Sequence, residues 1–360
     1  MNIDVFNNFY KGKKVLVTGH TGFKGSWLSI WLHELGAEVV GVGLEPYSEK
    51  DNFVLSGIGN KIKADIRADI RDGEKMKEIF AQYQPEIVFH LAAQPLVRLS
   101  YEIPVETYQT NVMGTINIME AIRTTESVKV GVMITTDKCY DNKEQMRGYK
   151  EDDPFGGYDP YSSSKGACEI AIQSWRRSFF NPEDYGKKHH VSLASVRAGN
   201  VIGGGDWAKD RIIPDCMRAL EAGKPIDIRS PKAVRPWEHV LEPLSGYMLL
   251  AQKMWENPTE YCEGWNFGPE SESISTVWEV ATELVNNYGQ GELKDISDPN
   301  ALHEANLLML NIENAKTRLG WKPTLNMKQT MALVADWYKR YQTEDVYYLC
   351  IDEINRFIGA

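Results

Sequence analysis

An apolar run, Val15-Leu16-Val17, breaks into Thr18-Gly19-His20-Thr21-Gly22-Phe23-Lys24-Gly25. Apolar residues then resume at helical spacing (Trp27, Leu28, Trp31, Leu32, Leu35) and stop at Gly36. A strand, a turn with glycines three apart and a helix restrict the fold more than any other feature of the sequence. In such a turn Gly19 permits the sharp reversal, Gly22 lets a ligand's phosphates approach the backbone, and Gly25 lets helix and strand pack closely. The helix N-terminus then offers free amides and a partial positive charge to an anion. Gly19, Thr21, Gly22, Phe23, Lys24 and Gly25 are therefore candidate ligands of a dinucleotide.

The pattern repeats along the chain. Glu38–Gly43 reads as a second strand, and strand-like runs recur at 61–66, 86–92, 129–136 and 191–197. Helical stretches lie between them, notably at 101–124 and 161–180. Alternating buried strands and helices predict an α/β doubly wound parallel sheet of Rossmann type. Right-handed crossovers place its ligands at the carboxyl ends of the strands. The alternation fails at Gly203-Gly204-Gly205, and the segment to Trp237 is rich in Gly, Pro and Arg. The reading is a cofactor domain of 1–202 and 239–264, to which a helix at 240–255 returns. A smaller, discontinuous α/β substrate lobe takes 203–238 and 265–360, with helices at 277–288, 311–319 and 328–341.

A chain of 360 residues, 42% hydrophobic, can bury a large core in two such lobes. Its net charge of −10 excludes a broad nucleic-acid surface but leaves room for a local basic pocket. Cys139, Cys168, Cys216, Cys262 and Cys350 are scattered, with no Cys-x-x-Cys, which suits reduced thiols and no metal site. No apolar run nears the ~20 residues of a membrane span, and residues 1–14 are polar with no apolar signal core. A cytoplasmic protein with no membrane partner is expected.

The acid usual after the second strand is displaced, since only Glu45 follows and it is late. Lys24 can meet a phosphate instead. Asp69 and Ile70 follow the third strand, where a carboxylate can bind an adenine amino group. Leu91-Ala92-Ala93-Gln94 ends the fourth with small residues, as close passage of a cofactor requires. His33, His90 and the His189-His190 pair read as structural or solvated, and Trp27 and Trp31 as core.

Tyr161-Ser162-Ser163-Ser164-Lys165 lies on the long helix, with Tyr161 and Lys165 four apart on one face. A tyrosine of pKa ~10 is a poor base at neutral pH. An adjacent ammonium and a cationic nicotinamide ring both favour its phenolate. It can then take a proton from a sugar hydroxyl as hydride leaves the same carbon. Thr135-Thr136-Asp137-Lys138 ends the fifth strand, with Thr136 placed to orient that hydroxyl.

The ordered set Gly-x-x-Gly-x-x-Gly, strand-end Thr and Tyr-x-x-x-Lys resembles the extended short-chain dehydrogenase/reductase superfamily. Asn111, Arg197-Ala198-Gly199-Asn200-Val201, Asn266-Phe267-Gly268-Pro269 and Leu319-Gly320-Trp321-x-Pro323 are similar to its sugar-nucleotide branch. Asp137 matches the Thr-Asp-Glu of the 4,6-dehydratases, and Lys138 replaces the glutamate. That departure, with Gln94-Pro95-Leu96-Val97-Arg98 and Arg235-Pro236-Trp237-Glu238-His239-Val240, resembles the dehydratases that act on CDP-glucose. The resemblance implies NAD as cofactor and loss of water from CDP-glucose, with hydride passing from C4 to the cofactor and back to C6. Asp137 becomes the candidate acid at O6. Lys138 becomes either the base at C5 or an electrostatic partner of Asp137; a neutral lysine requires desolvation. Asn111, Thr135 and Arg197 join the cofactor set. Arg98, Asn200, Arg211 and Arg235 join the substrate set, the arginines because guanidinium pairs with phosphate bidentately. Also implied are a homodimer or homotetramer built on the helices at 101–124 and 161–180, and a product used for 3,6-dideoxyhexoses of lipopolysaccharide O-antigen. Two alternatives stay open: a nucleotide-sugar 4-epimerase, against which Asp137-Lys138 argues, and a noncatalytic NAD-binding regulator.

Overall fold

The structure, a computed structural model, describes residues 5–145, 147–270, 274–298 and 307–359. Six strands, β1 (Lys14–Thr18), β2 (Glu38–Gly43), β3 (Ala64–Arg67), β4 (Ile87–His90), β5 (Val130–Ile134) and β6 (Ser192–Ala198), build most of one sheet. Short strands β7 (Asn200–Ile202), β8 (Ile226–Ile228), β9 (Val234–Arg235) and β10 (Trp237–His239) follow, then β11 (Gly264–Phe267), β12 (Ser275–Thr276) and β13 (Leu293–Asp295). The main sheet runs β11-β6-β5-β4-β1-β2-β3, all parallel. Its central strands, such as Ile87-Val88-Phe89-His90, are buried at every position, as strands covered on both faces must be. Register follows from that burial: Val15 lies between Val39 and Ile87, and Ile87 beside Val130.

Helices α1 (Phe23–Glu34), α2 (Asn52–Ser56), α3 (Gly73–Tyr83), α4 (Val97–Glu102), α5 (Pro104–Tyr108), α6 (Gly114–Arg123) and α7 (Pro160–Ser178) accompany the first strands. Then come α8 (Ile212–Glu221), α9 (Leu241–Glu256), α10 (Val277–Tyr288), α11 (Met327–Arg340) and α12 (Val346–Ile358). The expected helix over 101–124 is broken. Pro104 cannot continue the preceding turn, and Ile103 before it leaves helical geometry (φ −126°, ψ 57°). A π-helical turn at Gln109–Met113 then separates α5 from α6. The helix expected at 161–180 forms, with Asp159 accepting from the Ser162 amide and Pro160 in the first turn.

Two assignments to the substrate lobe are corrected. The boundary at 264/265 cuts β11, which pairs with β6 (Gly264 beside Ser195) and is the seventh strand of the main sheet. The segment 346–358 also packs with the cofactor domain. Phe357 meets Trp31 of α1 at 6.0 Å between ring centroids, and the Tyr347 hydroxyl donates to Glu34. The apolar outer face of α1 requires that cover. The small pairs β12–β9 and β13–β8 lie within the segments assigned to the lobe, whereas β10–β7 joins 237–239 to 200–202 of the cofactor domain.

Candidate active site

The cradle follows from the glycines. Gly19 has φ 73°, and a Cβ there would lie 2.7 Å from the Ala92 amide nitrogen. A Cβ on Gly25 would come within 2.0 Å of the Gly19 carbonyl oxygen, so both positions exclude side chains. Gly22 is exposed, and a Cβ there would meet nothing nearer than 3.4 Å; its freedom serves approach from outside. Gly22 caps α1 with no side-chain hydrogen bond and no acid in the first turn, leaving the helix N-terminus open to an anion. An uncapped helix over a bare glycine turn fits a dinucleotide pyrophosphate.

Around it the loops are fixed by side chains. Asn111, on the π-helical turn, accepts from the Gln94 amide (2.8 Å) and donates to the Gln94 carbonyl (3.1 Å) and Ser164 Oγ (2.8 Å). It therefore clamps the Leu91-to-Gln94 loop to α7. Thr18 Oγ1 accepts from the Ala92 amide and also bonds His90, which burial holds down at about 3. Ile70 is buried against Gly114. Asp69 already accepts from the Arg71 amide (2.9 Å) and guanidinium (2.6 and 2.8 Å), so an adenine there competes with an ion pair. Glu45 is mostly exposed and accepts from Arg67 (3.1 Å).

The catalytic candidates converge at the end of β5. Thr136 is extended (φ −161°) and starts a 3-10 turn, Asp137–Cys139. Its hydroxyl donates to Asp137 Oδ1 (2.8 Å) and lies within hydrogen-bonding reach of the Tyr161 phenol. Asp137 is 0% exposed, and its Oδ2 has no hydrogen-bond partner. Lys138 is 28% exposed, with Nζ 3.8 Å from Asp137 Oδ1, so the desolvation asked of a neutral lysine is not found there. Lys165 Nζ points to the Ile134 carbonyl (3.5 Å). Burial raises the Tyr161 pKa well above 10, against the Thr136 hydrogen bond and the positive charge of Arg211. In the protein alone burial dominates, and Arg211 is the cation that lowers the phenol. Burial also lowers the Lys165 pKa.

Two further expectations are corrected. Arg197 is 2% exposed, and its guanidinium is consumed by protein. It donates to both Glu169 oxygens (2.9 Å each), the Tyr140 hydroxyl (2.6 Å) and the Glu151 carbonyl (2.9 Å). Thr135 donates its hydroxyl to Glu169 as well. Both residues belong to a buried network tying α7 to β5 and β6, so neither offers its polar group to a cofactor.

On the substrate side, Arg211 donates to Asp206 (3.0 Å) and faces the Tyr161 phenol. Asn200 begins β7 with Oδ1 buried and unpartnered. Arg235 on β9 is buried and donates to the Val234 carbonyl (2.9 Å). Arg98 is more open, 3.6 Å from Asp210. Sequence reasoning missed Glu238 and Tyr247, both buried, and the inward course of Lys24. The Lys24 ammonium lies 5.7 Å from the Tyr247 ring centroid and faces Glu238, Lys165, Arg211 and Asp137. A charged residue between Trp237 and His239 in a buried strand was the available signal. Among the described residues, no three His, Cys, Asp or Glu side chains could hold a metal, and no helix is long and apolar enough to cross a membrane.

The chain is 48% identical to a CDP-glucose 4,6-dehydratase of Salmonella typhimurium over 354 residues, 98% of each chain. Its fold matches a dTDP-glucose 4,6-dehydratase of Streptomyces venezuelae solved with NAD bound, at TM-score 0.77 and 20% identity, covering 92% of this chain and 99% of that one. An epimerase from Methanothermobacter thermautotrophicus also matches at TM-score 0.77 and 21% identity, over 93% and 95% of the two chains. The pattern of the GDP-mannose 4,6 dehydratase family spans residues 16–334, and the chain belongs to that family.

Proposed function

We propose that this chain removes water from CDP-glucose to give CDP-4-keto-6-deoxyglucose, with NAD as its bound cofactor. The observation that carries the reading is the meeting of Thr136, Asp137 and Tyr161 at the end of β5, beside the open glycine turn. The turn, Asn111's loop and Lys165 would hold the cofactor, which when bound accepts the C4 hydride and returns it at C6. Tyr161 exchanges the 4-hydroxyl proton, with Thr136 orienting that hydroxyl and Arg211 favouring the ionised phenol. Asp137, buried with one oxygen unpartnered, gives its proton to the departing 6-hydroxyl. An epimerase has no step that uses such an acid. Asn200, Arg211 and Arg235 face the substrate diphosphate.

The sugar and base specificity rest on likeness to the Salmonella enzyme. We also propose that the protein is cytoplasmic and, from the resemblance to the sugar-nucleotide branch, that its product serves 3,6-dideoxyhexoses of O-antigen. A homodimer or homotetramer is proposed through α5–α7, where Tyr108, Met113, Ile170 and Phe179 are exposed. Purified protein given five nucleotide-glucoses is expected to form a 4-keto-6-deoxy product from CDP-glucose; intact or 4-epimerised sugar alone would reject the reading. Hydrogen exchange at C5 in deuterated solvent decides the role of Lys138. Exchange kept in full by Lys138→Met leaves it an electrostatic partner of Asp137, and loss makes it the base.

A further inference from the structure

Four elements bring polar groups, all buried but the half-buried Lys24, to one wall of the site. The first turn of α1 supplies Lys24, β10 supplies Glu238, α9 supplies Glu242 and Tyr247, and the turn after β5 supplies Asp137. They are held together by apolar packing. The Trp27 indole donates to the Gly204 carbonyl (2.9 Å), and its ring meets His239 of β10 edge-on at 6.4 Å. At their centre neither oxygen of Glu238, nor the Tyr247 hydroxyl, nor Asp137 Oδ2 has a hydrogen-bond partner. Groups so completely buried and unpaired are costly, and they adjoin the acid of the proposed reaction.

We infer that Lys24 and Glu238 are positioning residues for the elimination step, setting the charge around Asp137. The inference rests on Asp137 being the acid at O6. As the C5–H and C6–O bonds break and the C5=C6 bond forms, a base takes the C5 proton, the Asp137 carboxyl gives its proton to the leaving oxygen, water departs, and a carboxylate remains. The Lys24 ammonium faces that carboxylate, and a protonated Glu238 adds no second negative charge.

Charges facing the pair explain this division. Burial brings Lys24 down to about 8, opposed by Glu238 and Asp137 and assisted by Lys165 and Arg211. Burial raises Glu238 well above the usual carboxylate range, aided by Glu242 and Asp137 and opposed by Lys24 and the Gly199 amide. Burial raises Tyr247 too, so it stays a neutral phenol beside Glu238 and Asp137. Lys24 thus keeps its charge below pH about 8, and burial favours the protonated form of Glu238.

The test is the pH profile of kcat on CDP-glucose. The parent is expected to lose kcat as pH rises through about 8. Lys24→Met is expected to lose about 10- to 100-fold in kcat below that pH, with KM changed less than about 3-fold, and to lack the alkaline limb. Lys24→Arg is expected to recover part of the rate. Glu238→Gln, which cannot ionise, is expected to change the alkaline side of the profile. Profiles of Lys24→Met and Glu238→Gln that superimpose on the parent overturn the proposal. If Lys24→Met does not fold, Glu238→Gln alone decides.

A second readout needs no turnover. In protein labelled with 13Cε-lysine, the resonance lost in Lys24→Arg is followed with pH. In the protein without substrate its midpoint is expected to fall in Asp137→Asn, because a charge that opposes the effect of burial on Lys24 has gone. An unchanged midpoint overturns the coupling. Absence of the 4-keto-6-deoxy product in the parent, with that midpoint still moved, instead rejects the proposed function.

Discussion

Glu169 and Glu238 are almost equally buried, at 1% and 2% exposure, yet the protein treats them oppositely. Glu169 accepts from Arg197 twice, from Ser195 (2.7 Å) and from Thr135. Burial would raise its pKa; the Arg197 charge and these hydrogen bonds outweigh it and hold Glu169 below the usual range. Glu238 has no side-chain donor of that kind; only the Lys24 charge and the Gly199 amide oppose burial, and burial pushes it upward. Burial therefore does not decide whether a carboxyl stays charged; the supply of donors does. The first glutamate fastens α7 to β5 and β6. The second stands in the wall of the crevice with capacity to hold a proton.

The sharpest way to break this contrast is to remove the fastener. Glu169→Leu leaves the Arg197 cation buried without its partner, and a loss of about 3–5 kcal/mol in unfolding free energy is expected by urea denaturation. A loss under about 1 kcal/mol would show that the pair is not the fastener. Tyr161→Phe, two helical turns earlier on α7, is expected to do the reverse. It should lower kcat by about 10²- to 10⁴-fold while the thermal midpoint, read by calorimetry, stays with the parent.

Glu242 sharpens the comparison by pH. It accepts from the Thr324 and Leu325 amides, yet burial pushes it up to about 7. A folded-state pKa raised above the unfolded value gives stability that is present below about 4.5 and lost as pH rises through about 7. Glu169, with its pKa lowered, has the opposite sign: its contribution is present at neutral pH and lost on acidification. Glu242→Gln is expected to match the parent near pH 5 and to exceed it by up to about 3 kcal/mol at pH 8 to 9. Equal stability across that range would remove Glu242 from the account. The smallest effect is expected at the rim, where Arg235→Ala should raise KM for CDP-glucose about 10-fold, or about 1.4 kcal/mol, with less effect on folding. An unchanged KM removes Arg235 from the substrate site.

Six strands of the sheet could be read from the sequence, most of them as apolar runs and β3 as an alternation of Ala64 and Ile66 with Asp65 and Arg67. β11 could not: Gly264-Trp265-Asn266-Phe267 is short, and Asn266 is spent on Tyr140 and the Tyr149 carbonyl. The π-helical turn was hidden because its cause is tertiary, the clamp of Asn111 on Gln94 and Ser164. In the site, Tyr161, Thr136 and Asp137 were legible as local motifs. Arg197 was misplaced because its partner Glu169 lies on another element, and pairing across elements leaves no local pattern. Lys24 with Glu238 escaped for the same reason, since 214 residues separate them.

The docking of α12 on α1 has a consequence for biosynthesis. Trp31 is fully buried, and Phe357 is part of its cover. Ribosomes add roughly 5–20 residues per second, so this face of the first helix waits roughly 15–60 s for its lid to emerge. Throughout that interval the nascent polypeptide displays an indole face that the segment 346–358 helps to conceal. Stalled or prematurely released chains are thus expected to be chaperone clients rather than smaller working enzymes.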